Sequence, residues 1–199
     1  MTAIASPVPP VSDSAARQRI LLTAHDLFYR DGVRATGIDR VIAESGVAKL
    51  SFYLHYPSKN DLVLAVLDHR HARWMAWFED ALARHGGTPQ ALVPALKEWF
   101  GSEGFRGCAF INSVGELGGA VPGVNEITRR HKADMAKAIA RLLPAGSASP
   151  SAYRQRRLLA TDLATAVDGA IIRAQYDGET KPALGSLRRI VESLTKPVV

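Results

Sequence analysis

Between Thr36 and Lys59 the chain sets out Lys49, Ser51, Tyr53, His55 and Lys59, with the apolar Leu50 among them. These are groups for holding an anionic polymer. Lys, Ser and Tyr donate to phosphate oxygens. Lys and Ser also reach base edges in a major groove, and an apolar tip such as Leu50 can meet a thymine methyl. The spacing places them on a short helix from about Ala48 to Tyr56, with Val47, Phe52 and Tyr56 holding it to the domain. Ahead of it, Thr36 and Asp39 form a capping-box pattern. Ile38, Val41 and Ile42 follow on one helical face. Gly46 suits a tight turn with positive φ, and Pro57 discourages continuation of the second helix. Two short helices across a glycine turn, here over residues 37–56, make a helix-turn-helix, whose second helix enters the DNA major groove. The same local pattern also fits a solvated helical hairpin.

The remaining elements have to position that pair. A first helix is predicted from about Ser14 to Arg30, with Ile20, Ala24, Leu27 and Phe28 as its apolar stripe and Asp31-Gly32 as its close. Residues 1–13, rich in proline and small residues, read as a disordered arm. A fourth helix opens at Ser58 with Asp61 three residues on, another capping box. Its first N–H groups and Lys59 can hold a phosphate together. It continues through Trp74, Trp77 and Phe78 to about His85, a rod of roughly 40 Å at ~1.5 Å per residue. After Gly86-Gly87, further helices are expected over about 89–100, 124–143, 151–176 and 183–194, with a glycine-rich loop at 101–107 and a flexible loop at 144–150. The loop at 101–107 lacks the Lys-Ser/Thr ending of a phosphate loop. The fold class is therefore all-α, with about nine helices.

Composition narrows the partners. The 199 residues carry 25 Lys and Arg against 19 Asp and Glu, a formal charge of +6, which suits an anionic partner. No apolar run approaches the ~18 residues of a membrane span. A single cysteine, Cys108, excludes an intrachain disulfide, and with no signal-peptide pattern a cytoplasmic setting is expected. No Cys/His cluster has metal-ligand spacing, and His69 and His71 diverge on a helix. No cofactor is expected. An all-helical enzyme would need an acid/base set, for which only Glu116 and His131 are conceivable, so the chain is read as a non-enzyme.

Tyr53-Leu54-His55-Tyr56-Pro57-Ser58-Lys59-Asn60-Asp61-Leu62 resembles the tyrosine–x–histidine–aromatic–x–Ser-Lys-x-x-Leu signature of the tetracycline-repressor (TetR) family. Ala24-x-x-Leu27-Phe28-x-x-x-Gly32 and Thr36-x-Ile38 match the family's first helix and second-helix start. Two departures stand out. Ile42 replaces the usual small residue of the second helix, and Leu50 replaces the usual small residue before the recognition-helix hydroxyl. Phe105 to Leu117 resembles the Gly-Cys-x-x-x-Asn-x-x-x-Glu segment of one subgroup, carried here by Gly107, Cys108, Asn112 and Glu116.

The resemblance implies a helix-turn-helix DNA-binding domain over 14–60 and an effector-binding and dimerisation domain over 61–199. It implies a dimeric, ligand-responsive transcriptional regulator, most simply a repressor released from double-stranded operator DNA by an apolar small molecule. Thr36, Gly37, Lys49, Leu50, Ser51, Tyr53, His55, Tyr56 and Lys59 are the expected DNA contacts. Trp74, Trp77, Phe78, Trp99, Phe105, Cys108 and Phe110, with Asn112, Glu116 and His131, are the expected effector pocket. Asn112 and Glu116 share a helix face, and can equally satisfy neighbouring backbone or an arginine. His131 can equally be a satisfied core histidine. Leu163, Val167, Ala170 and Ile171 of the eighth helix and Leu187, Ile190 and Val191 of the ninth are expected to form a homodimer interface. Redox or electrophile sensing through Cys108, at a helix start after Gly107, is the alternative to an inert buried thiol.

Overall fold

A computed structural model describes residues 11–144 and 149–196. The expected arm falls largely on residues 1–10, and most of the expected flexible loop on 145–148; both stretches lie outside the described residues. Helices account for every regular element among the described residues: α1 (Val11–Asp31), α2 (Ile38–Ser45), α3 (Lys49–His55), α4 (Lys59–Arg84), α5 (Leu92–Phe100, preceded by a 3₁₀ turn Pro89–Ala91), α6 (Ala109–Leu117), α7 (Pro122–Leu142), α8 (Pro150–Asp177) and α9 (Lys181–Leu194). The all-α expectation holds. Helix α1 starts at Val11, so residues 11–13 are helical rather than part of an arm.

The chain forms two compact units, Met1–Val66 and Leu67–Val199. In the first, α1 packs on α2 and α3. Its core holds Ile20, Ala24, Leu27, Val41, Phe52 and Leu62, all nearly or fully buried. Each of these side chains larger than Ala24 is worth about 1.5–3 kcal/mol when taken out of water, which is what keeps two helices of eight and seven residues ordered when neither could persist alone.

Local chemistry sets the helix ends. Gly46 closes α2 with φ 63°, a left-handed conformation that glycine adopts without steric cost. At the other end of α2 the capping-box expectation fails. The N-cap is Gly37, with no side-chain bond. Thr36 is buried, and its hydroxyl donates to the Gly32 carbonyl at 2.8 Å. The hydroxyl closes the turn between α1 and α2 instead of capping the helix that follows. Ser58 does cap α4, its Oγ accepting from the Asp61 N–H at 3.2 Å while donating to the Asp61 carboxylate at 2.7 Å. Ser149 caps α8 by accepting from Ala152 N–H, with Pro150 in the first turn, where its missing donor costs nothing.

In the second unit α8 packs on α7 and α9, α6 on α7, and α5 on α8 and α9. Phe78, Leu92, Leu96, Phe110, Met135, Ile139, Leu163 and Ile171 are its largest fully buried side chains. The second part of α4 is tied to α7 by ion pairs, Arg130 with Asp68 and Arg141 with Glu79.

Candidate functional site

Helix α3 is held by its inward side and open on the other. Phe52 is fully buried and Tyr56 nearly so. The Tyr56 ring lies 6.3 Å from that of Phe52, its hydroxyl donates to the Arg17 carbonyl at 3.4 Å, and the Arg17 guanidinium sits 5.5 Å over the ring. Burial raises the Tyr56 phenol above its ordinary value, so it stays a neutral donor. On the other side Leu50 and Leu54 are each 75% exposed and Tyr53 is 40% exposed. Lys49 is exposed and lies 3.4 Å from the Asp39 carboxylate. That spacing between two exposed groups is worth little in water and leaves the ammonium able to exchange Asp39 for phosphate. Ser51, His55 and Lys59 are half-buried, and Gly37 is exposed at the start of α2.

Two of the expected contacts are therefore not surface groups. Thr36 is buried and spends its hydroxyl on Gly32. Tyr56 is a core residue that fixes α3 to α1. One exposed residue was missed: Leu54, four positions after Leu50 and on the same helix face. The signal was legible in that spacing, but an apolar side chain between Tyr53 and His55 reads as core unless the buried side of the helix is already fixed.

The second unit contains a closed aromatic cluster. Trp74 stacks on Phe78 at 4.6 Å and meets Trp99 edge-on at 5.5 Å. Phe105 in turn meets Trp99 edge-on at 5.2 Å. His131 lies flat on Phe110, with centroids 3.7 Å apart and planes at 15°, and meets Trp74 edge-on at 4.9 Å. The space left between Trp74, Trp99, Phe110 and His131 amounts to about 10 Å³, the room of one water molecule. Cys108, Lys132 and Arg70 also border it. The residues expected to line an effector pocket thus pack their rings against one another.

His131 is buried and held neutral. Desolvation, followed by the nearby charges of Lys132, His71, Arg70 and Arg130, lowers it to about 2. Its Nδ1 lies 3.2 Å from Nδ1 of His71, whose Nε2 lies 3.5 Å from the Asp134 carboxylate. It is a core histidine with a partner on α4. Trp77 borders the cluster but aims its indole N–H at Glu98, 3.4 Å away. Glu98 also accepts two bonds from Arg84, and these dominate in holding its carboxyl down to about 2.

Asn112 does not border the cavity. Its amide donates to the Arg106 carbonyl at 3.0 Å and its oxygen accepts from Gln175 at 3.3 Å. It ties the 101–107 loop to α8, the backbone role that the sequence left open. Glu116 is half-buried on the same helix and is likewise absent from the cavity wall. Cys108 is buried at the start of α6, with its Sγ 3.4 Å from Lys132 Nζ, and that ammonium is shared with Asp168 at 2.5 Å.

The expected dimer residues need a correction. Leu163, Val167, Ala170, Ile171, Leu187 and Val191 are buried within the single chain, since α8 and α9 pack on each other and on α5 and α7. Only Ile190 is exposed. The large apolar side chains left on the outside of these helices are Tyr153, Leu158, Ile172, Tyr176, Ile190 and Leu194. Helix α8 is apolar on more than one face, and its periodicity did not say which face meets the rest of the chain, whereas α9 carries a single apolar stripe of which Ile190 and Leu194 stay exposed.

Among the described residues no group of histidine, cysteine and carboxylate side chains could hold a metal ion, and no helix is long and apolar enough to cross a membrane.

Comparison with known proteins agrees with this geometry. Residues 20–66 match the model of bacterial regulatory proteins of the tetR family. The chain is similar to SCO4454, a TetR-family transcriptional regulator from Streptomyces coelicolor, at 28% identity and TM-score 0.76, over 92% of this chain and 97% of that one. It is also similar to sav143, a TetR transcriptional regulator of Streptomyces avermitilis, at 29% identity and TM-score 0.70, over 90% of this chain and 97% of that one. Among curated proteins it is 30% identical, over 45% of this chain and 43% of the relative, to the HTH-type transcriptional activator FasR of Mycolicibacterium smegmatis. The chain spans about half the length of the curated relatives it matches first. Residues 20–66 thus match a tetR-family helix-turn-helix, and the chain shares its all-helical fold with TetR-family transcriptional regulators.

Proposed function

We propose that the chain works as a dimeric, ligand-responsive regulator of transcription that binds double-stranded operator DNA through α3 and is released by a small molecule taken up in the second unit. The observation that carries the reading is the division of α3, with Phe52 and Tyr56 buried and Lys49, Leu50, Tyr53 and Leu54 turned to solvent. Lys49, Tyr53, His55 and Lys59 are the phosphate contacts in this reading, and Leu50, Ser51 and Lys49 the base-edge contacts, with Leu54 beside Leu50 as a second apolar tip. Two such helices, one per subunit, would read half-sites about one helical turn or a multiple apart. The Gly-Cys-x-x-x-Asn-x-x-x-Glu segment supports placement in one TetR subgroup.

Response to a ligand requires that the ligand bind one arrangement of the dimer better than the other, because equal affinity shifts nothing. The outer faces of α8 and α9, with Leu158, Ile172, Tyr176, Ile190 and Leu194, are the proposed dimer surface, and two-fold packing would cover both copies at once. Binding of the purified chain to DNA from upstream of its gene, titrated against salt, tests the reading. With roughly 6–10 phosphate contacts, affinity drops about 10³–10⁵-fold between about 50 and 200 mM salt. A curve that stays flat over that range removes the DNA-binding reading.

A further inference from the structure

Of the large apolar side chains described in the first unit, only Leu50, Tyr53 and Leu54 stay exposed, and all three stand on the seven-residue helix α3. Leu50 and Leu54 are each 75% exposed. They are not needed to hold α3, which Phe52 and Tyr56 anchor from its other side. Bare apolar side chains are ordinary when scattered. Two that share one face of so short a helix, in a unit that covers its other large apolar side chains, mark a surface that something else covers.

The neighbouring residues indicate the cover. Lys49 is exposed beside Leu50, with the Asp39 carboxylate 3.4 Å away. Ser51 and Tyr53 set hydroxyls between the two leucines in the chain. The fitting partner is anionic at its rims and apolar at points on its floor. A DNA major groove is built that way, with phosphates along its edges and a C5-methyl at each thymine. Leucine has no donor or acceptor, so it cannot bond the O6 and N7 of guanine or the N4 amine of cytosine. Pressed on such an edge, it would shut water from a polar group and offer no bond in return. The pair therefore discriminates in two ways, by covering methyls and by penalising polar edges. Leu54 follows Leu50 by one helical turn, about 6 Å at ~1.5 Å per residue. Successive bases of a strand rise by about 3.4 Å. With α3 lying along the groove, the two tips reach base pairs about two steps apart.

We propose that Leu50 and Leu54 are specificity-determining residues that read the C5-methyl groups of two pyrimidines about two base-pair steps apart in each operator half-site. The methyl is what attracts them, so 5-methylcytosine at either position restores part of what cytosine loses. The proposal rests on the reading of α3 as the DNA-facing helix, and adds the chemistry it reads and the role of Leu54.

The test uses the full chain and the duplexes it draws from a randomised library. Enriched half-sites are expected to carry two thymines at that separation. Each thymine is then replaced in turn by uracil, which lacks only the methyl, and by cytosine or 5-methylcytosine. Uracil is expected to weaken binding about three- to fivefold per methyl, the worth of one buried apolar carbon, and 5-methylcytosine to bind better than cytosine. Leu50→Ala is expected to remove the methyl effect at one position and Leu54→Ala at the other, with helicity and the salt slope unchanged in both. Half-sites that bind uracil as well as thymine, or a methyl effect that survives both substitutions, overturn the proposal and leave DNA binding intact. If no duplex is enriched, the regulatory reading fails and the proposal with it. A sedimentation coefficient that falls without DNA when Leu50→Ala and Leu54→Ala are combined gives the pair to a second copy of the chain, and likewise overturns it.

Discussion

At the scale of single residues, the proposed DNA contacts on the exposed face of α3 divide into those for affinity and those for specificity. Lys49 is a point charge held only by Asp39 at 3.4 Å. Lys49→Ala is expected to weaken binding to all DNA sequences alike and to lower the salt slope by about 1 per subunit. Leu50→Ala is expected to leave that slope unchanged and to relax base preference at one position per half-site, worth about 1–3 kcal/mol of discrimination. Competitive binding to a randomised duplex library reads both effects. His131 sets a different kind of dependence. Its folded-state value of about 2 lies below its ordinary 6.5, so below pH 6.5 the unfolded chain takes up a proton that the folded chain refuses. Stability falls as pH drops from about 6.5 toward 2, by up to ~1.4 kcal/mol per pH unit from this one group. Urea unfolding at pH 7, 6, 5 and 4 should show a flatter decline for His131→Gln than for the parent. Most of the α3 face was legible in the sequence, because a seven-residue helix with Phe52 and Tyr56 inward leaves few ways to arrange the rest. Thr36 was not, since a threonine before a helix fits either a cap or a bond back to the preceding turn, and the spacing to Gly32 decides between them only in three dimensions.

At the scale of elements, the join of the 101–107 loop to α8 is a close fit. Gly107 has φ 78°, and a Cβ placed there would fall 2.0 Å from the Gln175 side-chain oxygen. Gln175 in turn donates to Asn112, whose amide holds the Arg106 carbonyl. Gly107→Ala is expected to destabilise the chain by about 1–3 kcal/mol, part from the backbone angle and part from the clash. Adding Gln175→Ala should recover the clash portion only, so the double variant lies between the parent and the single variant in a urea midpoint measurement. The glycine-rich loop was visible in the sequence, but its purpose was not. Nothing in the local pattern pairs Asn112 with a residue 63 positions away. The helix ends were easier to read, because Ser58, Gly46 and Pro57 act through their immediate neighbours.

At the scale of the whole molecule, helical periodicity gave the all-α class but could not assign the faces of α8, since a helix apolar on two sides needs its neighbours named before its surface is known. Ile172→Glu combined with Ile190→Glu touches only exposed positions. It is expected to preserve helicity, to convert the proposed dimer to a monomer in sedimentation velocity, and to cut the salt slope of DNA binding roughly in half. A sedimentation profile unchanged by both charges would place the dimer contact elsewhere. The contact between His131 and His71 has one more consequence. His131 forms a wall of the cavity, and His71 belongs to α4, the helix that follows α3 in the chain. Displacement of the His131 ring would therefore strip His71 of one of its two polar neighbours and leave it with Asp134. The seat of the His131 ring would then be written into the surroundings of a side chain on α4, and the imidazole nitrogen resonances of His71 would report its displacement.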